Sequence, residues 1–371
     1  MKRKIKVCHV TSVHPRFDIR IFIKECVSLY ESGFDVSLIV ADGLGDELVK
    51  GVMIYDVGKS KNRLHRILFN TRKIYKKAKS LSSDIYHFHD PELMFYGLKL
   101  KGKYTKVVYD IHEDLVQQIK LKYWIPKSLR NIISILFKKI ENFVVKRLDA
   151  LVVPQPYMKK KYLLKNKNTV LVANFVILEN TQENLSINYA NQISFHGGAL
   201  TKDRGVLNMI KAYALLKEEN KLILAGNLKE ELLSELKNEE GWNNITYLGR
   251  LPYEDVKKQY LNSSIGLILY NNVGQYYLSY AIKLFEYMLN GIPVIMPNFG
   301  EWVAFNKENQ CGINVDSTNA KEVAAAINYL NENIEEKKRL GKNGRTAVLE
   351  KYNWSISENT LIKLYNNLQN N

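Results

Sequence analysis

The sequence predicts an α/β protein of two Rossmann-like domains, each with a parallel sheet. Three observations carry that expectation. Apolar strand patterns rich in β-branched residues alternate with amphipathic helical patterns along most of the chain. Several strand patterns run directly into Gly, His or Asp, and parallel sheets bind ligands just beyond the carboxyl ends of their strands. A polar stretch at 179–190 separates two series of the alternation.

In chain order, residues 5–11 read as an apolar strand, 21–31 as a helix closed by Ser32-Gly33, and 35–41 as a second strand. Short strands at 85–88 and 107–109 are followed at once by His and Asp, and strands at 151–153 and 170–172 complete the first series. The second series opens with a strand at 193–195, the Gly197-Gly198 pair and a helix at 206–216. Strands follow at 221–225, 245–247, 265–269 and 294–296. Between the last two lies a short helix on which Leu284, Phe285 and Met288 sit at core-facing spacing; Gly291 stops it and Pro293 bars its continuation. The expected domains are 1–178 and 190–352, with a terminal helix at about 353–371 packing back on the first.

Bulk properties narrow the function. The chain has 371 residues, 46% hydrophobic and 25% charged, as in globular proteins. Its start runs straight into a strand, so no secretory leader is expected, and no apolar run approaches the ~20 residues that span a bilayer. Cys8, Cys26 and Cys311 are far apart and read as buried thiols in a reducing cytosol. The net charge of +16 suits nucleic acid, an anionic membrane or phosphorylated substrates. No recognition helix or base-stacking module is found, so nucleic acid is not an expected partner.

Four constellations can carry chemistry. The turn His196-Gly197-Gly198-Ala199-Leu200-Thr201-Lys202-Asp203-Arg204-Gly205 joins a strand to a helix, where backbone N–H groups can approach a phosphate and Lys202, Arg204 and the distant Lys283 can add charge. Glu286, on a helix beside a strand end, is placed to accept hydrogen bonds from a ribose diol, with a surface glutamate as the alternative. His87-Phe88-His89-Asp90 and Asp110-Ile111-His112-Glu113-Asp114 end two strands, where histidine can bond a hydroxyl or exchange a proton. In His14-Pro15-Arg16-Phe17-Asp18-Ile19-Arg20, Arg16 or Arg20 can bind an acceptor phosphate and Asp18 can orient a hydroxyl; a local Asp18–Arg20 salt bridge is the alternative. Histidine spacing fits neither a zinc ribbon nor an HExxH helix, and no metal is expected. Two further regions, 59–79 and 120–147, interleave Lys and Arg with apolar residues and read as basic amphipathic helices suited to an anionic lipid surface.

These motifs together resemble bacterial family-4 retaining glycosyltransferases of the GT-B fold. The resemblance runs over most of the chain and rests on His9-Val10-Thr11-Ser12 with Asp18-Ile19-Arg20-Ile21-Phe22, His87-Phe88-His89-Asp90-Pro91-Glu92, Tyr109-Asp110-Ile111-His112-Glu113, Gly197-Gly198 to Arg204-Gly205, and Lys283-Leu284-Phe285-Glu286-Tyr287-Met288. It implies two domains whose sheets face each other across a cleft. The donor nucleotide-sugar, UDP-linked or else GDP-linked, would contact Gly197, Gly198, Lys202, Arg204, Lys283, Leu284 and Glu286. The acceptor would meet Arg16, Asp18, Arg20, His89 and Asp90. His112, Arg204, Lys283 and Glu286 would be the catalytic set, without cofactor or metal. The chain departs from the family pattern at Leu278 and Ala199, which replace a usual glutamate and arginine, and at His14-Pro15-Arg16, which replaces a usual Gly-Gly pair. The implied enzyme moves a hexose or N-acetylhexosamine to a lipid-linked or surface-polysaccharide acceptor such as lipopolysaccharide or capsule, from the cytoplasmic face of the membrane. A GT-B sugar-nucleotide epimerase is the enzymatic alternative.

Overall fold

The computed structural model describes residues 3–122, 125–178 and 187–370. It forms two compact units: the first runs to Asn174 and resumes at Trp354, and the second is Phe175–Asn353. Most of the polar stretch at 179–190, and Tyr123-Trp124 in the second basic region, lie outside the described residues.

The first unit is built on eight strands: β1 (Lys6–Val10), β2 (Asp35–Val40), β3 (Glu47–Val49), β4 (Val52–Asp56), β5 (Ile85–Phe88), β6 (Lys106–Asp110), β7 (Ala150–Val153) and β8 (Thr169–Leu171). Their order is β3-β4-β2-β1-β5-β6-β7-β8, parallel except for the β3–β4 pair. The chain fills one side of β1 and then the other, so the direction of winding reverses between β1 and β5. Loops diverge at such a switch point and leave room for a site. Register places His9 opposite His87, and Asp110 ends β6.

The first helical segment starts earlier than expected. Asp18 caps it, its Oδ1 accepting from the Arg20 and Ile21 backbone N–H groups at 2.9 Å each. Its carbonyl accepts from Phe22 at 2.9 Å and also from Ile23 at 3.2 Å, and Ile19–Cys26 is wound as a π-helix before Val27–Glu31 becomes α-helical. The terminal helix Trp354–Asn370 belongs to this unit, burying Trp354, Leu361, Leu364, Tyr365 and Leu368 in the core beneath β1 and β2.

The second unit has six parallel strands: β9 (Ile193–Gly197), β10 (Lys221–Ala225), β11 (Ile245–Tyr247), β12 (Ile265–Leu267), β13 (Val294–Pro297) and β14 (Gly312–Val315), ordered β11-β10-β9-β12-β13-β14. Its switch point lies between β9 and β12. The helix Ile282–Leu289 ends as the sequence implies: Gly291 adopts φ +68°, its N–H donates to the Met288 carbonyl at 2.9 Å, and the Ile292 N–H donates to Tyr287 at 2.9 Å. That pairing satisfies two otherwise orphaned carbonyls. After β9, Gly205 at φ +77° starts the helix Val206–Tyr213; a Cβ there would lie 1.8 Å from the Leu269 carbonyl oxygen. Only glycine lets this helix start so close to the chain leaving β12.

Candidate active site

In the second unit, the bend after β9 meets the helix that follows β12. A Cβ on Gly198 would sit 3.4 Å from Lys283 Nζ, so this ammonium lies directly against the glycine pair. Lys283 is buried and reaches His196 Nε2 at 3.2 Å. His196 Nδ1 lies 2.8 Å from the Leu267 carbonyl, which requires the proton on Nδ1 and leaves Nε2 to accept from the lysine. Burial and the lysine charge push the His196 imidazole well down, in keeping with that neutral tautomer. Burial also lowers Lys283, to about 7; the Arg204 charge adds to the fall and Glu286 opposes it.

Arg204 packs its guanidinium 5.6 Å from the centre of the Tyr270 ring, and Lys283 Nζ lies 5.6 Å from the same ring. Arg204 Nε donates to the Tyr276 hydroxyl at 3.3 Å. Two cations thus flank one aromatic ring at the switch point of a parallel sheet, beside a glycine bend. An anionic group placed between them would relieve their repulsion. One helical turn beyond Lys283, half-buried Glu286 accepts from the Tyr260 hydroxyl at 2.7 Å through Oε2. Burial and the Glu286 charge push the Tyr260 phenol well up, so it remains a donor.

Two expected donor contacts need correction. Leu284 is fully buried among Phe285, Met288 and Trp302, so its side chain is core and does not reach a ligand. On a helix it lies one step round from the Lys283–Glu286 face. Lys202 is exposed and holds Glu235 at 2.6 Å, a solvated ion pair rather than part of the cradle. Tyr270 and Tyr276 are functional candidates that the sequence reading missed; their only sequence signal was their place after a strand at the switch point.

In the first unit, the expected acceptor residues are drawn into a buried polar network. Arg20 donates to both oxygens of Asp110 at 2.8 Å and to the Val172 carbonyl at 2.9 Å. Arg16 donates to both oxygens of Asp42 at 2.8 Å, to Glu47 at 2.9 Å and to the Gly45 carbonyl at 2.9 Å. Both guanidiniums are buried and fully engaged, which runs against their expected role as contacts for an acceptor phosphate. The local Asp18–Arg20 bridge does not form either: the Asp18 carboxylate caps the helix and lies 3.4 Å from His14.

Around Arg20 the network continues through histidines. His112 Nε2 lies 2.9 Å from Asp110, His89 Nδ1 lies 3.1 Å from His112, and His89 Nε2 lies 3.0 Å from His9. Tyr365 on the terminal helix contacts His87 Nδ1 at 2.6 Å and His9 Nε2 at 3.4 Å. Burial lowers His9 and His87 far, and His89 to about 4, so these imidazoles are neutral. Burial opposes the Asp110 charge, yet Arg20 and His112 hold this carboxyl well below the usual range. Glu25 is pushed well up by burial and by Asp110. Asp90 accepts from the Thr11 hydroxyl at 2.8 Å and the Ser12 N–H at 2.6 Å. The structure therefore gathers Asp18, His89, Asp90 and His112 at one switch point, and His112 is the partly exposed member of the His89–Asp110–His112 group.

Two α/β units, each with a polar site at the switch point of its mainly parallel sheet, give a two-domain Rossmann-like architecture. Comparisons with known proteins narrow it. Residues 25–180 match the model described as "Glycosyltransferase Family 4", and residues 179–347 the model described as "Glycosyl transferases group 1". The chain is a family-4-like glycosyltransferase of the GT-B fold. No curated protein matches it in sequence. Among solved structures, a glycosyltransferase from Rickettsia africae has a TM-score of 0.76 at 18% identity, covering 99% of both chains. Sucrose-phosphate synthase from Thermosynechococcus elongatus has a TM-score of 0.74 at 16% identity, covering 98% of this chain and 99% of that one. HepE from Anabaena, solved with UDP-glucose, has a TM-score of 0.74 at 12% identity over 98% of this chain and 100% of that one. At these identities the likeness is one of fold.

Proposed function

We propose that this enzyme is a retaining glycosyltransferase that moves a hexose or N-acetylhexosamine from a UDP-sugar to a lipid-linked or surface-polysaccharide acceptor. The observation that carries the reading is the contact of Lys283 with Gly198 and His196 beside Arg204. Lys283 and Arg204 hold the diphosphate, and Glu286 accepts from the ribose hydroxyls. UDP is preferred over GDP because the fold is shared with a protein solved with UDP-glucose.

The reaction follows from charge. The bond between the anomeric carbon and the diphosphate oxygen breaks, and negative charge grows on that oxygen. Lys283 and Arg204 stabilise it, with no metal required at the diphosphate. The acceptor hydroxyl oxygen bonds to the same face of the sugar, and its proton passes to the departing diphosphate. His112, steadied by Asp110, positions the donor sugar, while Asp18, His89 and Asp90 line the acceptor side.

The membrane part of the reading rests on the helix Lys127–Val145. Leu129, Ile132, Ile133, Leu136, Ile140 and Phe143 are exposed along one side at helical spacing, while Ser134, Glu141, Val144 and Val145 face inward. Ile132 and Leu136 are 55% and 54% exposed, an apolar row turned to solvent with Lys138 and Lys139 exposed on the same helix. Leu64, Leu68 and Phe69 are exposed in the first basic region, whereas Ile74 is buried and belongs to the core. No helix among the described residues is long and apolar enough to cross a membrane. Such a helix suits lying in an anionic interface at the cytoplasmic face.

Three measurements test the proposal. A thermal-shift screen of UDP-, GDP-, ADP- and CMP-sugars is expected to show selective stabilisation by a UDP-sugar. Glu286→Ala is expected to lower transfer about 10- to 100-fold in a folded protein, the loss of charged hydrogen bonds; a near-normal rate removes Glu286 from the site. Flotation with anionic vesicles at low salt should carry the enzyme upward, and no binding defeats the membrane reading.

A further inference from the structure

Three ligand-type atoms converge at the switch point of the first sheet. His89 Nδ1 and Asp110 Oδ2 lie 3.2 Å apart, Asp110 Oδ2 and His112 Nε2 lie 2.9 Å apart, and the two imidazole nitrogens lie 3.1 Å apart. Asp110 Oδ2 also accepts from Arg20 Nε at 2.8 Å. With the His89 proton on Nε2, toward His9 Nδ1 at 3.0 Å, and the His112 proton on Nδ1, both imidazole lone pairs and a remaining Oδ2 lone pair face one point outside the triangle.

We propose that His89, Asp110 and His112 form a two-histidine, one-carboxylate site for a divalent first-row transition-metal ion. A triangle of this size has its centre about 1.8 Å from each corner. An ion at about 2.1 Å from each ligand stands about 1.1 Å above the plane, with ligand–metal–ligand angles of about 90°. Three ligands at such angles occupy one face of an octahedron and leave the opposite face open to oxygen ligands.

The surroundings fit the assignment. His9 Nδ1 meets His89 Nε2 at 3.0 Å, and Arg20 grips Asp110, so two of the ligands are fixed from behind. Asp110 ends β6, and His89 and His112 follow directly on β5 and β6. Asp90 and Asp18 lie 3.7 and 3.4 Å from His14, whose ring lies 4.7 Å from that of His112, tilted by 47°. Asp18 and Asp110 both act on the Arg20 guanidinium, so the negative charge around the triangle exceeds what Arg20 alone matches. His112, with its side chain 19% exposed, gives access from solvent. A deeper group of His9, Glu25 and His87 also converges on His89, but it is wholly buried. Separation along the chain hides the site, since only strand register brings the three ligands together.

The test uses untagged full-length protein stripped with chelator, then dialysed against Mn²⁺, Co²⁺ or Zn²⁺. Retained metal is counted by mass spectrometry, and bound Co²⁺ is also read by its visible absorption. One ion per chain is expected. His89→Gln and His112→Gln should each weaken retention at least about tenfold, and Glu25→Gln should leave it unchanged, with thermal melting used to select folded variants. Retention of none of the three metals overturns the proposal. So does retention unaffected by His112→Gln, or lost with Glu25→Gln, which assigns the ion to the deeper group. None of these readouts uses transfer activity, so they stand whether or not the glycosyltransferase reading holds.

Discussion

The two switch-point sites handle buried charge in opposite ways. In the first unit, Arg20 is matched by Asp110, and the neighbouring histidines are neutral. In the second, Lys283 is buried beside Arg204, with an imidazole and aromatic rings for company and Glu286 as the countercharge. In the first arrangement the guanidinium charge is matched within the protein. The second is strained without a ligand, and an anion relieves it. The difference separates a guanidinium matched inside the protein from an ammonium left largely unmatched.

The largest effect should come from breaking the matched pair. Arg20→Met leaves the Asp110 charge buried and the Val172 carbonyl without its donor. A loss of about 3–5 kcal/mol in stability is expected, measured by urea denaturation. Lys283→Met should behave in the opposite way: stability unchanged or raised, because an unfavourably buried cation is removed, but kcat/KM lowered about 10²- to 10³-fold. If Lys283→Met destabilises the protein as Arg20→Met does, the contrast between the two sites is wrong.

Donor binding should depend on pH through Lys283. Its ordinary value is lowered to about 7 in the free enzyme, and a bound diphosphate favours the ammonium form and raises it again. Below pH 7 the lysine is already charged and affinity should be flat. Above pH 7 binding must take up a proton, so affinity should fall by about tenfold per pH unit until the raised value in the complex is approached. Calorimetry in buffers of different ionisation enthalpy reads the proton uptake directly. Lys283→Arg, charged throughout, should abolish the slope.

Much of this contrast was legible in the sequence, but unevenly. The stop at Gly291 and the Lys283–Glu286 face follow from local rules, and the Gly197-Gly198 bend lies where a parallel strand ends. Leu284 was misplaced because a ligand-contacting motif was extended to a residue on the other side of its helix. The β3–β4 hairpin was missed, although Lys50-Gly51 at φ +48° and +79° is a two-residue turn with the residue type such turns favour. The Arg20–Asp110 pair was beyond reach: ninety positions separate its members, and only the order β1-β5-β6 brings them together.

The smallest expected effect also sharpens the contrast. Lys202 lies in the glycine turn yet points to Glu235, and both side chains are about half exposed. Such pairs contribute little, because water screens them and ordering two long side chains offsets the attraction. Lys202→Ala should change neither stability nor donor affinity by more than about 0.5 kcal/mol. Measured by the same calorimetry, a tenfold loss of donor affinity would mean that Lys202 leaves Glu235 to join the diphosphate. The cradle would then hold three cations, and sequence proximity to the glycine pair would have been a better guide than the unliganded geometry.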